Sequence, residues 1–156
     1  MEIRQANIHD SLLLSSITTD VQRLHAENHP DIFKMPQRDD FAVTFFDEML
    51  ANPLVRIFIA EEAGRAFGCV LCKLIERDEN PFKFARRYLM IDQISVKPEA
   101  QGKGVGKALV EQAEHLAKEW NVVRIQLDSW GFNLHAHGFF EKVGFVKFNH
   151  RFWKSL

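Results

Sequence analysis

Three closely spaced glycines are the first feature of this sequence whose residue types could do chemistry. The stretch reads Gln101-Gly102-Lys103-Gly104-Val105-Gly106, and it lies between an apolar run and a region of helical periodicity. At a strand-to-helix junction, several backbone N–H groups lack an intrahelical partner and the helix dipole adds partial positive charge. Glycines also let the backbone approach a bulky anion closely. The stretch therefore predicts a phosphate-binding loop, with a plain strand-to-helix connection as the alternative.

Two common phosphate-binding motifs do not fit this loop. A Walker A motif requires G-x-x-x-x-G-K followed by Ser or Thr, but Gln101 occupies the first glycine position and Ala108 the hydroxyl position. The dinucleotide fingerprint G-x-G-x-x-G requires glycine where Lys107 stands, and an early βαβ unit that the chain lacks. The spacing that fits is Gln-x-x-Gly-x-Gly, at Gln101, Gly104 and Gly106.

Two further segments accompany this spacing. One is the strand that ends Ile94-Ser95-Val96-Lys97-Pro98-Glu99, and the other runs from Asn133 to Phe145. Together with the loop they resemble the cofactor-binding segments of the GCN5-related N-acetyltransferase (GNAT) family, strongly over residues 88–145 and through element order over most of the rest. The resemblance implies the acyl-CoA N-acyltransferase fold and acetyl-coenzyme A (acetyl-CoA) as co-substrate, without a metal.

The resemblance also implies roles for the matching residues. The backbone of Ile94, Ser95 and Val96 would pair with the pantetheine arm, and an amide N–H near Ile94 would polarise the thioester carbonyl. The side chain of Asn133 would contact the same arm. The pyrophosphate would lie against the loop residues, mainly on backbone amides: Gln101, Gly102, Lys103, Gly104, Val105, Gly106 and Lys107.

One position departs from the family pattern. The helix that Asn133 opens often carries a tyrosine that protonates the departing thiolate, and Phe140 stands at that place. Phenylalanine cannot donate a proton, so water or another group must do so, or the thiolate leaves unprotonated. The single tyrosine, Tyr88, begins the fourth strand and is expected to lie too far away. We expect Phe140 to pack against the cofactor and the core.

Asp92 is the candidate catalytic residue. An amine nucleophile must lose a proton before it attacks, so a general base or a water chain is expected. Asp92 lies four residues before Val96, where some family members place a carboxylate. The alternative is an exposed or hydrogen-bonded strand acid. Four histidines are weaker candidates, because a lone histidine is more often structural: His25, His29, His135 and His137.

The acceptor is expected to contact the first two helices and the loop after the third strand, as in the family. The candidate residues there are Glu27, Asn28, His29, Asp31, Phe33, Phe82 and Phe84. Carboxylates and aromatic faces suit a cationic amine, although acids at a solvated helix end look the same. The predicted activity is acetyl transfer to a primary amine of a small molecule or peptide. A non-catalytic acetyl-CoA-binding module and a nucleoside-triphosphate-binding protein are the alternatives.

Hydrophobic periodicity predicts the elements that position these residues. We expect one α/β domain over residues 1–156, with a mixed, mostly antiparallel and splayed sheet flanked by helices on both faces. A Phe-rich final strand could support a homodimer. The predicted strands are Glu2 to Ala6, Val55 to Glu61, Ala66 to Arg77, Tyr88 to Lys97, Val122 to Leu127 and Phe145 toward Trp153, and the predicted helices run from Asn7 to about Asn28, from about Asp39 to Ala51, from Gly102 or Lys103 to Trp120 and from Asn133 to Val143.

Composition excludes other classes of protein. The chain has 20 Lys and Arg against 21 Asp and Glu, a formal net charge of −1, and no basic stripe, so we expect no nucleic-acid partner. No apolar run approaches the roughly 20 residues that span a bilayer, and residues 1–10 are too polar for a signal peptide. We therefore expect no membrane partner and a cytoplasmic location.

Two cysteines, Cys69 and Cys72, form a C-x-x-C pair inside the apolar run Phe67 to Ile75. This spacing can indicate a redox pair or half of a zinc site. Residues three apart on a strand point to opposite faces, however, and no second Cys or His pair stands nearby at metal spacing. We predict two buried structural cysteines and no metal site.

Overall fold

A computed structural model describes all 156 residues. Its five strands form one open sheet in the order β1-β2-β3-β4-β5, in which only β4 and β5 run parallel. The predicted mixed, mostly antiparallel sheet is confirmed. In chain order the elements are β1 (Glu2–Gln5), α1 (Ser11–Asn28), α2 (Val43–Ala51), β2 (Val55–Glu62), β3 (Arg65–Arg77), β4 (Arg86–Val96), a 3₁₀ turn (Pro98–Ala100), α3 (Val105–Glu119), β5 (Ile125–Leu127) and α4 (Leu134–Lys142).

Helices cover both faces of the sheet because strand side chains alternate between them. On one face, called the α1 face here, Ile59 packs with Leu14 of α1 and Phe46 of α2. On the other, called the α3 face, Leu89 packs with Leu109 of α3. Complete burial of an aliphatic side chain of this size contributes about 1.5–3 kcal/mol. The two apolar layers therefore hold the sheet between its helices.

The two cysteines lie on opposite faces of β3, as their spacing predicts. Cys69 belongs to the α1-face core and Cys72 to the α3-face core, and both are free thiols. Burial raises the pKa of Cys69 and of Cys72 to about 12. The prediction that both cysteines are buried is confirmed, and thiols that stay protonated are poor nucleophiles.

The start of α1 differs from the prediction. The helix begins at Ser11, and Asn7 does not cap it but accepts a hydrogen bond from the His9 N–H at 2.9 Å. The carboxylate of Asp10 accepts hydrogen bonds from the Arg4 guanidinium at 2.8 and 2.9 Å. Hydrogen bonding to Arg4 holds the pKa of Asp10 below its usual value despite partial burial. Asp10 thus joins β1 to α1 instead of serving in the first helical turn.

The predicted final strand from Phe145 toward Trp153 is wrong. After the Phe145 N–H donates to the Phe140 carbonyl, no backbone hydrogen bond involves residues 146–156. A groove of about 420 Å³ separates residues 143–148 from Ile125 and Gln126 of β5. An alternating pattern becomes a strand only where a neighbouring strand completes its ladder, and β5 does not pair with this segment.

Candidate active site

The sheet splits where β5 ends. β4 and β5 share three register pairs, of which Ile91 with Leu127 is the last. Beyond that pair β4 continues to Val96, bonded only to β3 on its other side. One edge of residues 92–96 therefore carries free backbone donors and acceptors, and an extended ligand can add to such an edge as a further strand.

Side chains at the end of β4 are engaged inside the protein. Ile94 and Val96 pack against the α3-face core. Ser95 is buried, and its hydroxyl donates to the Ile17 carbonyl of α1 at 3.0 Å. On the neighbouring strand, a Cβ at Gly68 would lie 2.6 Å from the Ser95 carbonyl oxygen. The backbone of these three predicted cofactor residues is available to a ligand, and the partly buried side chains of Ile94 and Val96 also expose some surface.

The glycine loop begins at Gln101, five residues after the end of β4 at Val96. Gly102 and Gly104 have φ angles of 73° and 83°, a conformation that favours glycine. The backbone N–H groups of residues 102–107 make no hydrogen bond within the protein. The side chain of Gln101 donates to the Val96 carbonyl at 3.3 Å, which ties the loop to the end of β4. Six free N–H groups at the start of α3 are able to donate to an anion.

The remaining loop residues have separate roles. Val105 is the first residue of α3 and its side chain is buried, so only its backbone faces the loop. A Cβ at Gly106 would lie 3.1 Å from the Phe139 ring, so the absence of a side chain lets α4 pack on the start of α3. Lys103 is exposed, and Lys107 is exposed with an ion pair to Glu111 at 3.2 Å. Both lysines can contribute positive charge near the free amides.

α4 contacts this loop through Phe139, and the two predicted residues Asn133 and Phe140 lie at the cap and within this helix. The Asn133 side-chain oxygen caps the helix by accepting from the Ala136 N–H at 3.1 Å. Its amide nitrogen donates to no protein group, so it is free for a ligand. Phe140 is buried, with ring centroids 5.3 Å from Phe139 and 5.8 Å from Phe145. It packs in the core and offers no acidic proton.

Asp92 lies at an irregularity of β4, next to the split. Leu71 pairs with Gln93 and Cys72 with Ile91, so Asp92 is the extra residue of a β-bulge. Its carboxylate forms an ion pair with Lys73 at 2.9 Å, and both side chains are partly exposed.

The ion pair fixes the face on which Asp92 lies. Cys72 belongs to the α3-face core, so its neighbour Lys73 lies on the α1 face. The Asp92 carboxylate that pairs with Lys73 lies there too.

Sequence reasoning missed two charged residues at the split. Lys73 is the only charged residue in the apolar run of β3, and this pattern could have indicated a functional or ion-paired side chain. Asp128 directly follows β5 and is exposed. Its place beside the split depends on the register of β5 with β4, which the sequence alone does not reveal.

The other candidates lie apart from this ion pair. The His25 ring nitrogen lies 2.7 Å from the Val21 carbonyl and that of His137 lies 3.1 Å from the Trp130 carbonyl, which are structural contacts. His135 is exposed.

Two features bear on metals and membranes. No group of three or more His, Cys, Asp or Glu side chains is placed to hold a metal ion. None of the helices has both the length and the apolar character needed to cross a bilayer.

The open sheet, the split beside β4 and the free amides before α3 define an acyl-CoA N-acyltransferase fold. The sequence model of the Acetyltransferase (GNAT) family matches residues 18–145. The chain belongs to this family of acetyltransferases.

Individual relatives are more distant. A candidate ribosomal protein bS18-alanine N-acetyltransferase of Bacillus subtilis is 28% identical over 101 residues, which are 65% of this chain and only 60% of that protein. The BH1408 protein of Bacillus halodurans, solved as a tetramutant, superimposes with a TM-score of 0.93 at 21% identity, and the match covers 100% of both chains. The aminoglycoside N-acetyltransferase AAC(6')-Iy, solved with a bisubstrate analogue, CoA-S-monomethyl-acetylneamine, has a TM-score of 0.77 at 17% identity over 99% of this chain and 97% of its own. At these identities the two structural likenesses support the fold.

Proposed function

We propose that this protein is an acetyl-CoA-dependent N-acetyltransferase that acts on a primary amine of a small molecule or peptide. The observation that carries the proposal is that two stretches of unpaired backbone groups follow each other along the chain. The unpaired edge of residues 92–96 suits an amide-bearing arm, and the six free N–H groups of residues 102–107 suit a pyrophosphate. A coenzyme A molecule carries both groups on one chain in that order.

The proposed pose places the thioester at the split. With the pyrophosphate on residues 102–107, the pantetheine arm runs back along β4 from Val96 toward Asp92. An N–H near Ile94 donates to the thioester oxygen and stabilises the negative charge that develops during attack. The amine approaches from the α1 face, where the Lys73–Asp92 pair lies.

The proposed reaction is direct transfer. The neutral amine attacks the thioester carbonyl, a C–N bond forms, the C–S bond breaks, and coenzyme A leaves as thiolate. Asp92 accepts the proton that the amine loses, directly or through water. Phe140 supplies no proton, so the thiolate takes one from water or leaves unprotonated.

Two measurements test this function. Titration calorimetry should show acetyl-CoA binding that coenzyme A competes for and ATP does not. Release of free thiol in the presence of a broad panel of primary amines, with acetylated product identified by mass spectrometry, should show turnover. Competition by ATP would instead support a nucleotide-binding protein.

A non-catalytic acetyl-CoA-binding module is the second candidate, and the phenylalanine at position 140 favours it. Such a module binds acetyl-CoA with no thiol release above the uncatalysed rate for any amine. Turnover with even one amine would reject it.

We also propose that the protein forms a homodimer through its C-terminal segment. Val146, Phe148 and Phe152 are 82%, 70% and 94% exposed, which is a large apolar surface for one short segment. Light scattering coupled to size exclusion should give twice the monomer mass. A monomer at the concentrations used for activity would contradict this assembly.

A further inference from the structure

Three distant segments bring aromatic and imidazole rings into one cluster, called the aromatic platform here. The end of α1 and the residues after it supply three rings, the segment after β5 supplies two, and the C-terminal segment supplies one. The members are His25, His29, Phe33, Trp130, Phe132 and Trp153. None of the cofactor residues belongs to it.

His29 lies at the centre of the platform. Its ring centroid is 5.0 Å from Trp130 and 5.4 Å from Trp153, and Phe33 lies 5.0 Å from Trp130. Trp130 is 36% exposed and Trp153 is 71% exposed. A cluster that served only as core would bury its two largest rings, and here they present surface to solvent instead.

The platform borders the split in the sheet. Trp130 follows Leu127, the last β5 residue paired with β4, by three residues. Three residues of extended chain span at most about 10 Å. α1, which supplies His29 beyond its end, covers the face on which Asp92 lies. The platform therefore stands beside the proposed path of the amine and on the face opposite α3.

Chain connectivity sets an upper limit on the separation between Asp92 and the platform. Asp92 directly follows Ile91, the β4 partner of Leu127. An amine held near Asp92 thus leaves room for a short linker before the rest of the molecule reaches Trp130. Flat apolar groups stack well on indole faces.

Charge also bears on the acceptor. Four carboxylates lie in the acceptor region: Asp92, already paired with Lys73, Asp128 after β5, and Glu27 and Asp31 around the end of α1. A single ammonium group can pair with one of them, whereas a molecule with many ammonium groups would need several at once, because each desolvated cation needs a partner.

We propose that the aromatic platform binds the ring of an arylalkylamine, a monoamine with an aromatic ring on a short linker, and so selects this class as acetyl acceptor. This inference rests on the proposed acetyl transfer and names the substrate class of the same site. A polycationic amine and a peptide N-terminus are the competing acceptors.

The kinetic test compares tryptamine and 2-phenylethylamine with propylamine and a polycationic aminoglycoside in the wild-type protein. The arylalkylamines should give kcat/KM at least about tenfold higher than the other two, as expected for one aromatic stacking contact. Trp130→Ala should remove that advantage through KM, and Trp130→Phe should keep most of it. Phe41→Ala, which removes a 39% exposed ring outside the platform, is the control and should behave like the wild type.

Two results would overturn the proposal while leaving acetyl transfer intact. One is equal or higher kcat/KM for the aminoglycoside or propylamine. The other is an unchanged tryptamine KM in Trp130→Ala.

A binding test keeps the inference separate from the proposed function. Calorimetry would follow tryptamine binding to the coenzyme A-loaded protein, which needs no turnover. Binding that Trp130→Ala weakens by about tenfold supports the platform even if no amine is acetylated. Equal binding by the variant and the wild type overturns it.

Discussion

The two sides of the proposed cleft are built from different parts of the chain. On the cofactor side, residues 92–96 and 102–107 offer backbone groups, and their side chains are mostly turned into the core or absent. On the acceptor side, the surface consists of side chains from α1, from the segment after β5 and from the C-terminal segment. A binding surface made of backbone groups keeps the same ligand when side chains are replaced. A binding surface made of side chains can acquire a different ligand through substitutions.

This difference sets what a mutation should do on each side. On the cofactor side, most substitutions keep the backbone N–H donors in place. Only a substitution that adds a charge, blocks the approach of acetyl-CoA or removes a helix cap should have a measurable effect. On the acceptor side, truncating one ring should alter affinity for the amine alone.

The largest effect should come from Gly104→Glu. A Cβ at Gly104 meets no atom within 4 Å, although the φ of 83° strains any side chain there, and the glutamate places a carboxylate beside the free amides. Like charges in contact cost several kcal/mol, so acetyl-CoA affinity measured by calorimetry should fall about a thousandfold. Gly104→Gln is the matched control, because it places a neutral side chain of the same shape at the same positive φ of 83°. Equal loss of affinity in both variants would show that backbone strain, and not charge at the site, is responsible.

The next largest effect should come from Asp92→Asn. Loss of a general base typically costs about a hundredfold or more in rate, so kcat should fall by that factor while the acetyl-CoA affinity stays unchanged. Glu76→Gln removes an exposed carboxylate that pairs with Arg87 across the same two strands, and it serves as the control. A fully active Asp92→Asn protein would reject the base and leave Asp92 as a structural partner of Lys73.

Two changes at Asn133 should separate its cap from its free amide. Asn133→Ala removes the oxygen that accepts from Ala136 and should lower the free energy of unfolding by about 1 kcal/mol, measured by urea denaturation. Asn133→Asp keeps a capping oxygen but loses the N–H donors, so acetyl-CoA affinity should fall about tenfold at nearly unchanged stability. If only stability changes across the two variants, the side chain caps α4 and does not contact the cofactor.

The smallest effect should appear in a pair of glycine substitutions. Gly106→Ala brings a Cβ within 3.1 Å of the Phe139 ring and should destabilise the protein by about 1 kcal/mol. Gly138→Ala meets no atom within 4 Å in the middle of α4 and should stabilise it by about 0.5–1 kcal/mol. Thermal unfolding of both variants checks the opposite signs. A stabilising Gly106→Ala would mean that α4 moves away from α3 without cost.

The same contrast explains which parts of the site can be predicted from the sequence. Gln101, Gly104 and Gly106 lie within six residues, and positive φ angles with free amides follow from local chain geometry. The opposite faces of Cys69 and Cys72 follow from strand alternation. In contrast, no local pattern connects residues that are as far apart in the chain as those of the aromatic platform.

Two wrong predictions have a physical cause in common. The segment after Phe145 has the alternation of a strand, and Asn7 has the residue type of an N-cap. Pattern and propensity describe what a segment can form, whereas the lack of pairing with β5 and the Arg4–Asp10 pair decide what it does form. Long-range partners of this kind are the part that sequence patterns do not contain.

Gly68 of β3, Ser95 of β4 and Ile17 of α1 form a line of contacts from the sheet to the helix. A methyl group at Gly68 would press on the Ser95 carbonyl, and the Ser95 hydroxyl would carry that displacement to the backbone of Ile17. The position of α1 on the sheet therefore depends on the absence of a side chain at position 68. A lineage that acquires a side chain at position 68 would need compensating changes in α1, and its acceptor preference could drift while its cofactor stays the same.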